Sequence, residues 1–337
     1  MYLNKQYKKR HYLLLFILLV MASLFINGCD NKKPKVYRVG ILSGAKVFDN
    51  IADGFMAKMT ELGYENDRNI IYNYQKASFD MVACKNTIMK FIADKVDLIL
   101  VFPTEPALVA KATTQGMNIP IVFAMAGIEG NKLVDSVSCP GGNITGVRYP
   151  GPELTVRRLD ILVELVPQAR KVYLIYDQNY PNTSRALMDL RPAASSLGII
   201  LVEDPVNTMK ELKSKLEARS NSRDVGIDAI LLMPDILNNS HDGFKAIQNF
   251  ASRHKLPIGG GMAFTADYGA LFSFVPDNSD QGKLAAVMAD KIFNGTSAGK
   301  IMVVTPQARL RINYNVIQEL GLKVSDGLLS RADEIIR

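Results

Sequence analysis

Short apolar segments alternate with amphipathic segments along most of the chain, and this alternation constrains the fold more than any other feature. Residues 39–42 are typical of a short buried strand, and Ile51, Phe55, Met59 and Leu62 then recur at helical spacing. The same pairing of an apolar run with an amphipathic run continues downstream. Strands that alternate with helices predict an α/β fold with parallel sheets covered by helices on both faces.

The alternation falls into two runs joined near residues 146–152, and no sequence repeat relates them. A chain of 337 residues is longer than one core normally covers, so we predict two open-sheet lobes. In the first run the predicted strands are 39–42, 70–74, 97–102, 120–125 and 144–147. In the second run strands 171–177, 199–203, 228–233 and 256–259 alternate with helices 153–165, 184–197, 208–219 and 242–253. After these come an extended segment 268–275, a helix 280–293, a loop 294–299, strands 301–305 and 309–313, and a C-terminal helical region.

The first residues have the pattern of an export signal with a lipid-attachment site. Four basic residues between 5 and 10 precede a short apolar run at 12–26, which ends at Gly28-Cys29. We therefore predict a lipoprotein signal peptide at 1–28, lipidation of Cys29 and a polar tether at 29–37. An uncleaved signal anchor is the alternative.

Charge and cysteine content exclude several classes of protein. Without residues 1–28 the formal charge falls from +7 to +3, and no cluster of lysine and arginine indicates binding to nucleic acid. Cys84 and Cys139 have no metal-site spacing. A bridge between them is possible in an oxidising compartment, and the sequence does not decide it.

The loops after the predicted strands supply the candidate binding residues. Ligands of open parallel sheets lie beyond the carboxyl ends of the strands. The residues that this rule selects are Ser43, Phe48, Thr104, Glu105, Ala126, Gly127, Asn179, Tyr180, Asn182, Thr183, Asp235 and Met262.

These residue types suit a small, partly apolar molecule. Thr104 and the Asn182–Thr183 pair precede or begin predicted helices, whose free N–H groups can bind a carboxylate; ordinary helix capping is the alternative. Phe48, Tyr180 and Met262 offer apolar contact or simply pack. Asp235 and Glu105 either hold a ligand amine or are solvated loop charges.

No catalytic or cofactor pattern meets its structural requirements. Residues 295–299 fit the Gly-x-Ser-x-Gly spacing, but a predicted helix precedes them and a predicted strand follows, which inverts the order that a nucleophile elbow needs. His241 and His254 lie too far apart on one predicted helix to share a face. The sequence therefore predicts a binding protein without cofactor or metal, not an enzyme.

Several segments together resemble ABC-transporter substrate-binding lipoproteins, of the type I periplasmic-binding-protein-like group that includes binders of aromatic amino acids. The similarity extends over nearly all of residues 38–336, and no one motif is diagnostic. The matching segments are Gly54-Phe55, 62–64, 96–99, 119–124, Leu133-Val134, 140–147, 269–271 and 332–336.

The resemblance implies a Venus-flytrap fold, with lobes at 38–148 plus 276–304 and at 149–275 plus 305–337, joined by three crossovers. It implies an extracytoplasmic protein that passes a small ligand, with an aromatic amino acid as leading candidate, to an ABC permease and its ATPase. Met262 stands where relatives often carry an acidic residue, and Glu105 interrupts the usual Gly-Thr-Pro of the first lobe, so ligand identity need not follow the family. A lipid-anchored sensor that signals to a membrane kinase is the alternative.

Overall fold

The computed structural model describes residues 35–337, and residues 38–337 form one compact unit. The signal peptide and the lipidation site predicted at Cys29 lie outside the described residues. Two β-sheets with flanking helices make up the unit, one for each predicted lobe. Within the described part, no helix is both long and apolar enough to span a membrane.

The first lobe is built on a five-stranded sheet with the order β2-β1-β3-β4-β5. Strands β1, β3, β4 and β5 pair in parallel. Every residue of β3 and β4 is buried, as expected for a parallel sheet covered on both faces. The strands are β1 (Tyr37–Ser43), β2 (Ile70–Lys76), β3 (Leu98–Phe102), β4 (Ile121–Ala126) and β5 (Ile144–Arg148).

The second lobe contains a seven-stranded sheet with the order β12-β11-β10-β9-β8-β6-β7. Alternate residues of β6 belong to different apolar clusters, so both faces of this sheet are covered. Its strands are β6 (Lys171–Asp177), β7 (Ile200–Val206), β8 (Ala229–Leu231), β9 (Ile258–Gly260), β10 (Phe272–Pro276), β11 (Ala308–Asn313) and β12 (Glu334–Ile336).

Three details of the second lobe and its connections correct the sequence prediction. Strand β11 pairs with β10 in the antiparallel direction, because the chain returns from the other lobe and enters the sheet from the opposite end. The strand predicted at 301–305 was wrong: only Val304 makes a single bridge, to Val147, and the segment is a connection between lobes. The strand at Glu334–Ile336 was predicted as helical; it is too short to show a strand period of its own.

The longer helices lie where helical spacing predicted them, whereas the four- and five-residue helices before and after β9 were missed. Such short helices carry no periodic pattern. The helices are α1 (Asp49–Glu61), α2 (Met81–Ala93), α3 (Thr104–Thr113), α4 (Gly151–Leu165), α5 (Pro181–Ser196), α6 (Met209–Ser220), α7 (Ile236–Asn239), α8 (His241–His254), α9 (Ala263–Asp267), α10 (Asn278–Phe293), α11 (Tyr314–Glu319) and α12 (Asp326–Leu329).

The chain passes between the two sheets at three places. It leaves β5 for α4, leaves β10 for α10, and returns through Val304 to β11. Helix α10 packs on α1, β4 and β5 of the first lobe. Gly54 and Gly282 lie in the α1–α10 contact, where an added Cβ at either position would overlap the backbone of the opposite helix. Glycine therefore lets the second crossing close tightly onto the first lobe.

A fully buried arginine joins two of these crossings. The Nε of Arg158 donates to the Phe274 carbonyl oxygen at 2.9 Å, and its Nη2 donates to the Tyr149 hydroxyl at 3.0 Å and the Gly261 carbonyl oxygen at 2.9 Å. Tyr149 follows β5 of the first lobe and Phe274 lies in β10 of the second lobe. The guanidinium group therefore connects the first and second places where the chain crosses between the lobes. Its partners in the described chain are neutral oxygens, not carboxylates.

Candidate functional site

A cavity of about 320 Å³ lies between the two lobes, at the carboxyl ends of their parallel strands. This volume is at the lower end of the range for small-molecule sites, roughly 300–1,000 Å³. The first lobe and the first crossing contribute Ala45, Lys46, Val47, Phe48, Phe79, Pro103, Thr104, Met125 and Tyr149. The second lobe contributes Tyr180, Asn182, Pro234, Asp235, Ile236, Asn239, Ser240, His241 and Met262.

Six of the twelve residues selected from the sequence line this cavity. They come from loops far apart in the chain, which the ends of β1, β3, β6, β8 and β9 bring together: Phe48, Thr104, Tyr180, Asn182, Asp235 and Met262.

The other six residues do not line the cavity, and most have structural roles. Ser43 is buried, and its hydroxyl donates to the Ala45 carbonyl oxygen at 2.9 Å. Asn179 is exposed, and its amide donates to Asn207 Oδ1 at 2.7 Å. The remaining four, which lie buried or partly buried behind the walls, are Glu105, Ala126, Gly127 and Thr183.

The lobes touch across the cleft at two of these positions. An added Cβ on Gly127 of the first lobe would lie 2.7 Å from Asn182 Oδ1 of the second, so the absence of a side chain at Gly127 allows the approach. The second contact is between Glu105 of the first lobe and Tyr180 of the second. Its two carboxylate oxygens are buried and make no hydrogen bond of regular geometry, although the Tyr180 hydroxyl is adjacent. Burial raises the pKa of Glu105 and that of Tyr180.

Two helices begin at the cavity without a side-chain cap. Helix α3 starts after Pro103 and α5 after Tyr180, and neither residue provides a capping side chain. Thr104 Oγ1 instead accepts from the Gly127 N–H at 3.0 Å, which ties the β4 loop to the start of α3. Thr104 and Asn182 are therefore not N-caps. Pro106 and Pro181 have no N–H, and the Thr183 N–H donates to the Tyr180 carbonyl oxygen at 3.0 Å, so the first turns offer an anionic ligand group at most the N–H groups of Thr104, Glu105 and Asn182.

Asp235 is the buried acid of the cavity wall. Its side chain is only 2 % exposed, and it caps the short helix α7: the Asn238 N–H donates to Oδ1 at 2.8 Å and the Asn238 amide to Oδ2 at 2.5 Å. Loss of hydration raises the pKa of Asp235 to about 7, against the lowering effect of these hydrogen bonds. A third donor, the Asp177 N–H, also bonds to this carboxylate, so about one of its roughly four acceptor positions remains for a ligand cation.

The apolar part of the cavity comes mainly from the first lobe. The rings of Phe48 and Phe79 meet edge to face, with centroids 6.2 Å apart. Met125 completes this side from a left-handed backbone conformation, at φ 51°, which non-glycine residues seldom adopt. The wall suits an aromatic or aliphatic body.

Sequence reasoning missed several lining residues. Phe79 follows β2, a strand whose loop was not considered. Two helices follow each other after β8, and the sequence pattern does not show the break between them. Asn239 ends α7, Ser240 caps α8 and His241 begins it. The available signal was position alone, because these residues follow a strand end that faces the cleft.

The features that suggested catalysis or disulfide bonding lie away from the cleft or have simpler roles. His254 Nε2 is 2.7 Å from the Ser220 hydroxyl, which also accepts from Arg253, and this pair joins the ends of α6 and α8. Residues 298–300, which include the last two residues of the Gly-x-Ser-x-Gly spacing, form a single 3-10 turn. Cys84 is buried and Cys139 exposed, and both are free thiols. Between residues 35 and 337, no group of three or more His, Cys, Asp or Glu side chains could hold a metal ion.

A two-lobed α/β fold with a cleft between the lobes defines the class of type I periplasmic-binding-protein-like proteins. Residues 39–336 match the family described as ABC transporter substrate binding protein, and the chain belongs to that family.

Three other proteins are similar to this chain in sequence or in structure. A tyrosine-binding protein of Clostridioides difficile (strain R20291) is 26% identical over 296 residues, which cover 87% of this chain and 83% of the relative. An ABC domain from Streptococcus pneumonia in complex with L-Trp superposes with a TM-score of 0.80 at 22% identity and covers 90% of this chain and 100% of its own. A ligand-free, open substrate binding protein from Clostridium difficile gives 0.70 at 23%, with coverage of 89% and 99%.

Proposed function

We propose that this protein captures an aromatic amino acid in the cleft between its lobes and delivers it to an ABC permease. The observation that carries the proposal is the composition of the cavity between the lobes. It combines a buried carboxylate at Asp235, uncapped helix starts at Thr104 and Asn182, and an aromatic wall at Phe48 and Phe79.

Each part of an amino acid has a matching partner in this cavity. The ammonium group pairs with Asp235, since a buried charge without a counterion is costly. The carboxylate accepts N–H groups at the start of α3 or α5. The ring packs against Phe48, Tyr180 and Met262, all of which line the cavity.

The comparisons support this ligand class over a sugar. A curated relative of similar length is named for tyrosine, and a structural neighbour holds L-Trp. By the resemblance, Met262 stands where relatives often carry an acidic residue, so we assign the amine to Asp235, which lines the same cavity.

Closure of two lobes about the crossings is the proposed means of signalling occupancy. We assign 38–148 with 276–304 to the first lobe and 149–275 with 305–337 to the second. The packing of α10 on α1 and the pairing of β11 with β10 support these boundaries. We further propose that the protein acts by binding alone, without catalysis.

A thermal-shift screen of residues 35–337 against the natural amino acids and a set of sugars tests the function. A ligand that binds only the folded state raises the melting temperature by mass action. We expect tyrosine, tryptophan or phenylalanine to give the largest shift, and titration calorimetry to give a one-to-one complex. A shift with sugars alone would contradict the proposed ligand class.

The membrane anchor is proposed from the sequence of residues 1–29 and has its own test. Mass spectrometry of protein extracted from membranes should show a diacylglycerol mass on an N-terminal Cys29, and a Cys29→Ser variant should lose it. An intact Met1 on the mature protein would contradict lipidation.

A further inference from the structure

A second groove lies on the second lobe, beside the cavity. Its volume is about 510 Å³, and its walls come only from α8 and from the residue that follows α9: His241, Asp242, Phe244, Lys245, Gln248 and Tyr268. Because every wall belongs to the second lobe, the groove does not depend on the position of the first lobe. A ligand in solution therefore meets it before the lobes close.

One side chain belongs to both the groove and the cavity. His241 lines each of them, and the residue before it, Ser240, also lines the cavity. The His241 ring stacks on that of Phe264, with centroids 5.1 Å apart, and meets the Tyr268 ring edge to face at 6.0 Å. His241 is exposed, and exposed side chains change rotamer rapidly. The imidazole is therefore a movable partition between groove and cavity.

The groove combines an exposed aromatic surface with two opposite charges. Tyr268 is 61 % exposed, although its ring also packs edge to face on Phe264. Asp242 and Lys245 are exposed and lie about one turn apart on α8, and neither makes a hydrogen bond or an ion pair with another described side chain. An aromatic amino acid carries a ring, an ammonium group and a carboxylate, so the groove has a partner for each part.

We propose that this groove is an entry subsite, in which an aromatic amino acid binds transiently before it passes His241 into the cavity. The inference rests on the proposed ligand and adds the route by which that ligand arrives. Tyr268 contacts His241, so it still touches the ligand ring as the ring passes the partition. A contact made only on the route stabilises neither the free nor the fully bound state. Its loss slows association and dissociation by the same factor and leaves the dissociation constant unchanged.

The absence of tryptophan from the chain makes these rates measurable. L-Tryptophan is the only indole in the sample, and its fluorescence changes when it leaves water. Stopped-flow mixing therefore gives the association rate, and displacement by excess L-tyrosine gives the dissociation rate. Titration calorimetry gives the dissociation constant independently. If wild type binds L-tyrosine but not L-tryptophan, kinetic titration calorimetry with L-tyrosine gives the same two rates.

Three variants test the walls of the groove. For Tyr268→Ala we expect both rates to fall about fivefold, the size of one aromatic contact, at an unchanged dissociation constant. Asp242→Asn combined with Lys245→Gln removes only exposed charges and should lower both rates about twofold. His241→Ala opens the partition and should raise both rates.

Ile200→Ala is the matched control. Ile200 is 59 % exposed, close to the exposure of Tyr268, and it begins β7 of the same lobe, outside both the groove and the cavity. Loss of this exposed side chain should leave both rates and the dissociation constant as in wild type.

The outcomes separate this inference from the proposed function. Unchanged rates in Tyr268→Ala and in the charge variant would overturn the entry subsite and leave amino-acid binding in the cavity in place. Weaker binding by Tyr268→Ala at an unchanged association rate would also overturn it, since Tyr268 would then act on the bound state. Rates that do not rise in His241→Ala would overturn the partition. Failure of wild type to bind tryptophan, tyrosine or phenylalanine would overturn the subsite and the proposed ligand class together.

Discussion

The two walls of the cleft differ in chemistry although both are built from loops at strand ends. The first-lobe wall is mainly apolar, with Val47, Phe48 and Phe79, and the hydroxyl of its Thr104 accepts a hydrogen bond within the same lobe. The second-lobe wall carries the buried acid Asp235. In the proposed binding mode the second lobe therefore supplies the partner of the ammonium group, and the first lobe supplies most of the apolar contact with the ring, to which Tyr180 and Met262 of the second lobe add.

The largest effect is expected where the second lobe loses its charge. Asp235→Asn should weaken binding of an aromatic amino acid by about thirtyfold or more, because breaking a buried charge pair costs roughly 2–5 kcal/mol. Asparagine remains a good N-cap, so α7 should persist, but it cannot accept the second bond from the Asn238 amide, and the melting temperature should fall slightly. Calorimetry with both proteins measures the change, and equal affinities would remove Asp235 from the site.

The pH dependence of binding is a second test of the pairing between the ligand ammonium group and Asp235. Burial raises the pKa of Asp235 to about 7, so lowering the pH through this value protonates the carboxyl group and removes the partner of the ammonium. Affinity should therefore fall by nearly tenfold between about pH 7.5 and pH 6. Titrations across this range should show the fall in wild type and little of it in Asp235→Asn. A fall of the same size in the variant would assign the titration to another group.

Replacing an aromatic side chain of the first lobe should affect all ligands alike. Phe48 is 8 % exposed and packs edge to face on Phe79, so Phe48→Ala opens the apolar wall and removes about 1.5 kcal/mol of contact. We expect about a tenfold loss of affinity both for L-tyrosine and for its analogue without an amine. A Phe48→Leu variant should recover most of it. A loss confined to the amine-bearing ligand would contradict the division of tasks between the walls.

The sequence was most informative where a periodic pattern was long enough to be read. Strand β6 was predicted at 171–177, where the structure has it, and the helix ending near Phe293 was also found because its apolar spacing persists over several turns. Val304 was read as part of a strand because its neighbours are apolar, yet it makes only one bridge. Apolar composition reports burial, and pairing depends on the partner strand.

The same limit explains which residues of the candidate site could be predicted from the sequence. The rule that ligands lie beyond strand ends led to Asp235 and Phe48, because each follows a strand that the sequence shows. Glu105 satisfied the rule as well but faces Tyr180 behind the wall, since the direction of a side chain at a helix start is not readable from spacing. Asn239 was not selected as a lining residue because it ends a four-residue helix, which is too short to show a helical period.

The smallest effect is expected where the two walls meet. Gly127 approaches Asn182 so closely that a Cβ at 127 would lie 2.7 Å from the asparagine oxygen, and the asparagine side chain must move aside. Gly127→Ala should therefore hinder closure and weaken binding several-fold, but less than tenfold. The preference for a ligand with an amine should not change, because neither Gly127 nor Asn182 lies in or next to α7, the helix that Asp235 caps. Asn182→Ala in the same chain should restore much of the affinity by removing the obstructing atoms. Small-angle scattering with saturating ligand should show a smaller radius of gyration for wild type and the double variant, and an intermediate value for Gly127→Ala alone. If Gly127→Ala binds and contracts as wild type does, the contact between Gly127 and Asn182 does not form in the liganded state, and the cleft closes by another route.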